Sequence, residues 1–428
     1  MKRFAAVALA AVLVISIVSG CGGSKSTGSV GTNPDKPVTI TYARGKDTTP
    51  AHDALMEAFQ KKYTNIKIKY VEMPAGSDVQ HDDYVTKLSA GDTSVDVFTI
   101  DIIWPPEFGA AKWTLPLDEY FTKAEQDKFL PGPLAGNKWE GKLYSIPFYT
   151  DAGLLFYRKD ILDKYGKKPP KTWDEVISLS KELVGKDGIE MGITFQGNQY
   201  EGLVCDVLEI MRGNGGDVLD GKKVVINSAN NVEAIKIMRS LVEQKIAPEG
   251  VTTYKEAESL RPFLEGKSLF MRNWPYAWAQ AQNSAESKIK NKVGVVSVPI
   301  GPKGSKPSAT LGGWNIAING NIPKDRKDAA VTFAKWMTSD EAEKINALIG
   351  SRLPTRKALY EDADVLKANP HWKDFYSVFV NATPRPIYPS YPKISDAMQI
   401  NVHKAITGQI TAEEAVKNMQ DAIAKIVK

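Results

Sequence analysis

The stretch Phe270-Met271-Arg272-Asn273-Trp274-Pro275-Tyr276-Ala277-Trp278 sets three aromatic rings within five residues, beside an Arg, an Asn and a Pro. Flat apolar faces next to hydrogen-bonding groups match a sugar ring, which has C–H faces and a rim of hydroxyls. The same rings suit a hydrophobic core, the commoner fate of Trp and Tyr, and the window by itself leaves both readings open. Asp101 follows the strand-like run Val95–Ile100, where ligands of open α/β sheets bind. Its acceptor-only carboxylate fits sugar hydroxyls, or equally the N-cap of a helix over Ile102–Ala111. Gly312-Gly313-Trp314 stands at the mouth of another strand, and glycines there let a ligand approach the backbone.

Other chemistries lack their residues. Gly266-Lys267-Ser268 ends like a P-loop, but Arg261 occupies the position of the first glycine. There is no Gly-x-Ser-x-Gly elbow and no EF-hand loop. The four histidines, His52, His81, His371 and His403, lie far apart, which makes a zinc site improbable. A glycosidase needs two carboxylates, and with 50 acidic residues a pair can always be drawn, so the sequence neither supports nor excludes one.

The elements that must hold these residues alternate. Val38–Tyr42, Ile66–Val71 and Val95–Ile100 read as strands, with a helix bearing Leu55, Phe59 and Tyr63 on one face and another around Asp82–Ala90 between them. This alternation predicts a mainly parallel, helix-covered sheet. Gly141–Arg158 is long, strand-like and aromatic, with the length to leave one sheet and enter another near Phe148–Asp151. The alternation resumes over Gly192–Pro299, and Gly301–Pro307 marks a second crossing. Further helices carry capping-box spacings at Thr338/Glu341 and Thr411/Glu414, the last with Val416, Met419, Ile423 and Ile426 as its buried stripe.

At 428 residues the chain accommodates two lobes, and 43% hydrophobic with 25% charged residues is ordinary for a soluble globular protein. The 55 Lys and Arg against 50 Asp and Glu form no basic stripe, which argues against nucleic acid. Met1-Lys2-Arg3 followed by the apolar run Phe4–Val18 suits a secretory leader. Val18-Ser19-Gly20-Cys21 resembles a bacterial lipobox, which implies cleavage and lipidation at Cys21. Gly22–Pro37, rich in Gly, Ser, Thr and Pro, is expected to be a flexible tether. Cys205 then has no disulfide partner and reads as a small buried hydrophobe.

Several blocks resemble the extracellular solute-binding proteins of sugar ABC transporters, specifically the trehalose/maltose-binding branch. They are Asp151–Leu155, Gln199–Asp206, Arg272–Trp278, Leu311–Trp314 and Pro384–Ile387, and the likeness covers the chain after the tether. The resemblance implies a two-lobed periplasmic-binding-protein-like α/β fold (type II) with a sugar cleft between lobes. It divides the chain into a leader (1–20), a tether (21–37), lobe one (38–148 plus 302–348) and lobe two (152–298 plus 352–428). Carried over residue by residue, it implies ligand contacts at Asp101, Tyr149, Asp151, Glu256, Trp274, Tyr276, Gly312, Gly313, Trp314 and Arg385. Where relatives offer a Glu in the first loop, this chain reads Ala43-Arg44-Gly45-Lys46-Asp47, and Asp47 is the residue available to replace it. Trp104, Trp113 and Trp278 are expected in packing.

The function implied is capture of an α-linked glucose disaccharide, trehalose or maltose, and its delivery to ABC permease subunits. The protein is then a monomer at the outer face of the cytoplasmic membrane, not an enzyme, with no metal or cofactor implied. A receptor for sucrose or a longer glucan, and a secreted glycosidase, are the rival expectations.

Overall fold

The computed structural model describes residues 36–74 and 76–427, with the side chains of residues 374, 375, 377 and 380 excepted. The expected leader (1–20), the lipidation site Cys21 and most of the tether (21–37) lie outside the described residues.

In chain order the first main elements are β1 (Val38–Gly45), α1 (Ala51–Lys62), β2 (Ile66–Met73), α2 (Ser77–Ser89), β3 (Val97–Asp101) and α3 (Pro105–Ala110). Then come β4 (Ile146–Ala152), β5 (Leu154–Arg158), β6 (Met191–Thr194), α4 (Glu201–Gly213), α5 (Glu256–Leu264), β7 (Ser268–Asn273) and α6 (Tyr276–Asn283). The chain continues through β8 (Val293–Ser297), β9 (Leu311–Ile318), α7 (Lys324–Met337) and α8 (Asp340–Gly350) to α9 (Tyr391–Ile406) and α10 (Ala412–Ile426).

These strands form a five-stranded sheet, β2-β1-β3-β9-β4, and a four-stranded sheet, β8-β5-β7-β6. The run over 141–158 changes sheets at Gly153, between β4 and β5, and the chain returns between Ser297 and Leu311. The architecture is the expected two-lobed α/β fold, but the sheets are mixed rather than mainly parallel. β1 runs parallel to β2 and β3, whereas β9 is antiparallel to β3 and β4. In the second sheet β7 is parallel to β6 and antiparallel to β5, and β5 is antiparallel to β8. A strand that arrives directly from the other sheet needs no helical crossover, and it escapes the constraint that makes βαβ units parallel.

Period-two side-chain alternation packs both faces of each sheet. Leu155 and Tyr157 of β5 enter one core with Leu203, Val207, Met398 and Met419, while Leu154 and Phe156 enter another with Phe263, Met271 and Trp372. In the first sheet Ile40 and Tyr42 pack with Leu55, Phe59 and Phe333, and Phe98 and Ile100 with Tyr84, Trp104 and Phe108.

Two local expectations are corrected. Asp101 caps no helix: its residue pairs with Trp314, Ile102 still donates to the Gly313 carbonyl, and α3 starts only at Pro105. Thr338 is not the cap of α8, because α7 runs through Met337 and the Thr338 hydroxyl donates back to the Ala334 carbonyl. Ser339 is the first extended residue, and it accepts the Ala342 N–H instead. The box at Thr411 and Glu414 forms as expected, with both reciprocal bonds in place.

Candidate functional site

The carboxyl ends of β1, β3 and β4, the mouth of β9, the N-termini of α4 and α5 and the β7–α6 junction open onto one cleft of about 230 Å³. Asp101, Tyr149, Asp151, Glu256, Trp274, Tyr276, Gly312, Gly313, Trp314 and Arg385 all line it. Asp47 does not. Residues from both sheets therefore converge here, as sheet topology dictates for strand ends facing a common gap.

Each aromatic side chain is held in place by a specific neighbour. Trp274 follows the last residue of β7, and its backbone N–H donates to the Asn273 side-chain oxygen at 2.8 Å. The Arg272 guanidinium sits 4.1 Å from the centroid of the Trp274 ring, a cation–π contact. Arg352 lies between two further rings, 4.7 Å from Tyr149 and 5.1 Å from Tyr276. Trp314 meets Trp104 edge-on at 5.7 Å. Trp278 packs behind, with its indole N–H 3.3 Å from the Ala368 carbonyl and its ring against His371.

The glycine pair answers to sterics within the chain. A Cβ on Gly312 would stand 2.9 Å from the Trp274 ring and 3.1 Å from the Asp151 Cβ. Gly313 has φ +130°, and a Cβ there would come within 2.6 Å of the Tyr149 carbonyl oxygen. The pair thus lets Trp274 from the second sheet approach β9 of the first, beyond the ligand access expected from the sequence.

Charged groups divide into engaged and open ones. The Arg385 fork donates to Asp101 at 2.5 Å and to Glu201 at 2.8 Å, so it joins the end of β3 to the start of α4. Glu201 also accepts from the hydroxyls of Tyr391 and Ser395. Arg385 Nε is buried without a partner among the described residues. The Asp151 Oδ1 is likewise buried and unpartnered. Burial pushes the Asp151 carboxyl up to about 7, with the Arg352 and Arg272 charges pulling it back. Burial also raises Glu256, against the pull of Tyr200, Arg272 and Trp274 beside it.

Asp47 stands behind the wall. Its carboxylate accepts from Arg44 at 3.0 Å, from the Thr49 N–H and hydroxyl at 2.9 and 2.8 Å, and from Arg352 at 3.3 Å. Burial works to raise its pKa, but Arg352, Arg44 and the Thr49 hydrogen bonds hold it well below the usual carboxylate range.

The structure adds Arg44, Gln80, Tyr200, Glu201 and Arg352 to the cleft wall. Tyr200 and Glu201 fall inside a block whose resemblance is legible, and polar residues at a helix start were the available signal. Arg352 had none, since its partner Asp47 is 305 residues away.

The profile of the bacterial extracellular solute-binding proteins matches residues 45–344. The chain belongs to that family. It is 38% identical over 380 residues to a probable ABC transporter-binding protein of Deinococcus radiodurans, covering 86% of this chain and 89% of the relative. Among solved structures it is similar to maltose-bound MalE3 of T. maritima, with 41% identity, a TM-score of 0.86 and coverage of 91% and 99% of the two chains. The GacH receptor of Streptomyces glaucescens, solved unliganded and with acarbose and an acarbose homolog, is 26% identical with a TM-score of 0.81, covering 91% and 98%. Among the described residues of this family member, no helix is long and apolar enough to cross a membrane. No group of three or more His, Cys, Asp and Glu side chains among them is arranged to hold a metal ion.

Proposed function

We propose that the protein is the sugar receptor of an ABC transporter, capturing an α-linked glucose disaccharide, trehalose or maltose, and delivering it to membrane permease subunits. The observation that carries this reading is one cleft offering the face of Trp274 together with the unpartnered carboxylate oxygen of Asp151. A sugar's C–H face covers the ring while its hydroxyls meet the open polar groups, and the 41%-identical neighbour solved with maltose supports the class of ligand.

The ligand contacts in this reading are Asp101, Tyr149, Asp151, Glu256, Trp274, Tyr276, Gly312, Gly313, Trp314 and Arg385. Asp47 serves behind them as an anchor for two arginines. Lobe one comprises 38–148 plus 302–348, and lobe two 152–298 plus 352–428. A ligand shifts the balance towards the closed form only by touching both lobes, and the cleft is lined by residues of β3, β4 and β9 together with residues of α4, α5, α6 and the β7–α6 junction. The working protein is a monomer at the outer face of the cytoplasmic membrane, anchored through lipid on Cys21, and it performs no catalysis and uses no cofactor.

Isothermal titration of the full chain with maltose, trehalose, sucrose, maltotriose and mannitol tests the reading. Saturable one-site binding of maltose or trehalose, with no reducing sugar released, is expected. Binding confined to sucrose, maltotriose or mannitol overturns the assigned substrate, and turnover of any glycoside overturns the receptor.

A further inference from the structure

We infer that Arg352 is a specificity-determining ligand contact, that it acts with Asp151 as a clamp on one pair of adjacent sugar hydroxyls, and that Asp47 is its positioning residue. The inference rests on the sugar-receptor reading above and assigns a role to a side chain outside every block of resemblance.

Local structure delivers Arg352 to the wall. Helix α8 ends at Ser351, which takes a left-handed φ of +49°, a conformation that a residue with a side chain adopts only under constraint. The next residue, Arg352, then lines the cleft. Its guanidinium is sandwiched between Tyr149, which ends in the first sheet, and Tyr276, which opens α6 beside the second. Two rings hold the plane of the fork, and Asp47 holds one end of it through Nη2 at 3.3 Å. Asp47 is in turn locked by Arg44 and Thr49, so its oxygens serve the protein rather than a ligand.

What the fork leaves over is Nε, buried and without a partner among the described residues. A buried donor left unpaired is costly, and such a group in a ligand cleft is one awaiting an acceptor. The complementary group is Asp151 Oδ1, a buried acceptor without a donor on the same wall. Leu353 bridges antiparallel to Thr150, whose N–H donates to the Leu353 carbonyl at 2.9 Å, and this register sets Arg352 across from Asp151. A fixed donor beside a fixed acceptor matches a vicinal diol: one hydroxyl donates to Oδ1 while its neighbour accepts from Nε. With its face held on Trp274, a pyranose ring directs two adjacent equatorial hydroxyls to the clamp together, whereas an epimer turns its axial hydroxyl out of the ring plane and an open-chain polyol loses rotational freedom to hold the pair. The clamp therefore selects among sugars where ring stacking alone is tolerant.

Titration calorimetry of the full chain with maltose, trehalose and their single-deoxy analogues tests this, using wild type, R352Q and D47N. R352Q is expected to weaken the preferred disaccharide by about 10- to 100-fold, the range for a charge-assisted hydrogen bond. One deoxy analogue should cost wild type a similar factor and cost R352Q almost nothing further, since the clamped hydroxyl is already lost. D47N should show a smaller loss with the same deoxy pattern, which a merely structural role does not produce. R352Q binding like wild type, or every deoxy loss multiplying independently with R352Q, overturns the clamp. Should R352Q not fold, R352K keeps a cation between the tyrosines without the planar fork. It is expected to lose the same selectivity, and unchanged selectivity in R352K overturns the clamp. A wild-type chain that binds none of these sugars overturns the receptor reading itself, whereas binding by wild type matched by R352Q overturns the clamp alone.

Discussion

Arg272 and Arg385 are both buried guanidiniums among carboxylates, and they are built in opposite ways. Arg272 donates through Nε and Nη2 to Glu209 and through Nη1 to Gln196, with Asp206 at 2.9 Å, so all three of its nitrogens are engaged beside the second sheet. Arg385 instead spans from Asp101 on the first sheet to Glu201 on α4 and keeps an unpartnered Nε at the cleft. Helix α4 serves both: Glu201 in its first turn meets Arg385, and Glu209 two turns later meets Arg272. A guanidinium with every nitrogen engaged beside the second sheet is separated by two helical turns from one that reaches from α4 to the first sheet with a nitrogen to spare. Burial of charge alone does not mark function; the residual hydrogen-bonding capacity and the span between sheets do.

Breaking the closed network is the largest expected effect. R272M leaves Glu209 and Asp206 buried without their cation and should cost on the order of 3–5 kcal/mol in urea unfolding. A change under about 1 kcal/mol contradicts the structural role. Next, W274A should weaken disaccharide binding by about 30-fold or more while the urea midpoint stays near wild type, because a stacked ring in a cleft is a local anchor. Loss of the fold instead places Trp274 in the core. R385Q, the counterpart of R272M, should lose roughly tenfold in affinity and about 1–2 kcal/mol in stability, because Glu201 keeps its two hydroxyl donors and Asp101 keeps the Ile103 N–H. If R385Q destabilises as much as R272M, the contrast between the two arginines collapses.

The Asp151 carboxyl makes the open region sensitive to pH. Its folded value of about 7 lies above its ordinary 3.8, so the ligand-free protein loses stability as pH rises from 3.8 towards 7 and loses no more above that. A hydroxyl donated to Oδ1 favours the charged form. Disaccharide affinity should therefore rise about tenfold from pH 5.5 to 7.5, with release of a proton on binding below pH 7, both measurable by calorimetry in buffers of different ionisation enthalpy. Flat affinity across that range removes Asp151 from the contact set. T411A, far from both networks, should cost about 1 kcal/mol through its lost capping box and leave affinity unchanged.

Local pattern made much of this legible. The strands read from Val38 and from Ile66 begin at those residues, and the helix bearing Leu55 and Phe59 buries both. The rings at 274 and 276 and the glycines at 312 and 313 came to one cleft because strand ends collect there. The misreadings lie where one neighbour decides. Thr338 and Ser339 are both good caps, and only the length of α7 selects Ser339. Asp47 looks like a free acceptor until Arg44 and Arg352 are placed beside it. Strand direction depended on which strands arrive from the other sheet, and alternation of elements carries no such information.

The central claim is that one disaccharide occupies the gap between the two sheets that Trp274, Asp151, Gly313 and Trp314 line together. A crystal structure of the full chain grown with the sugar it binds tightest tests this most directly. The account predicts a glucose ring stacked on Trp274, with hydroxyls within hydrogen-bond reach of Asp151 Oδ1 and the free Nε of Arg385. A sugar bound outside that gap, or inside it with Trp274 turned away into the core, contradicts the account.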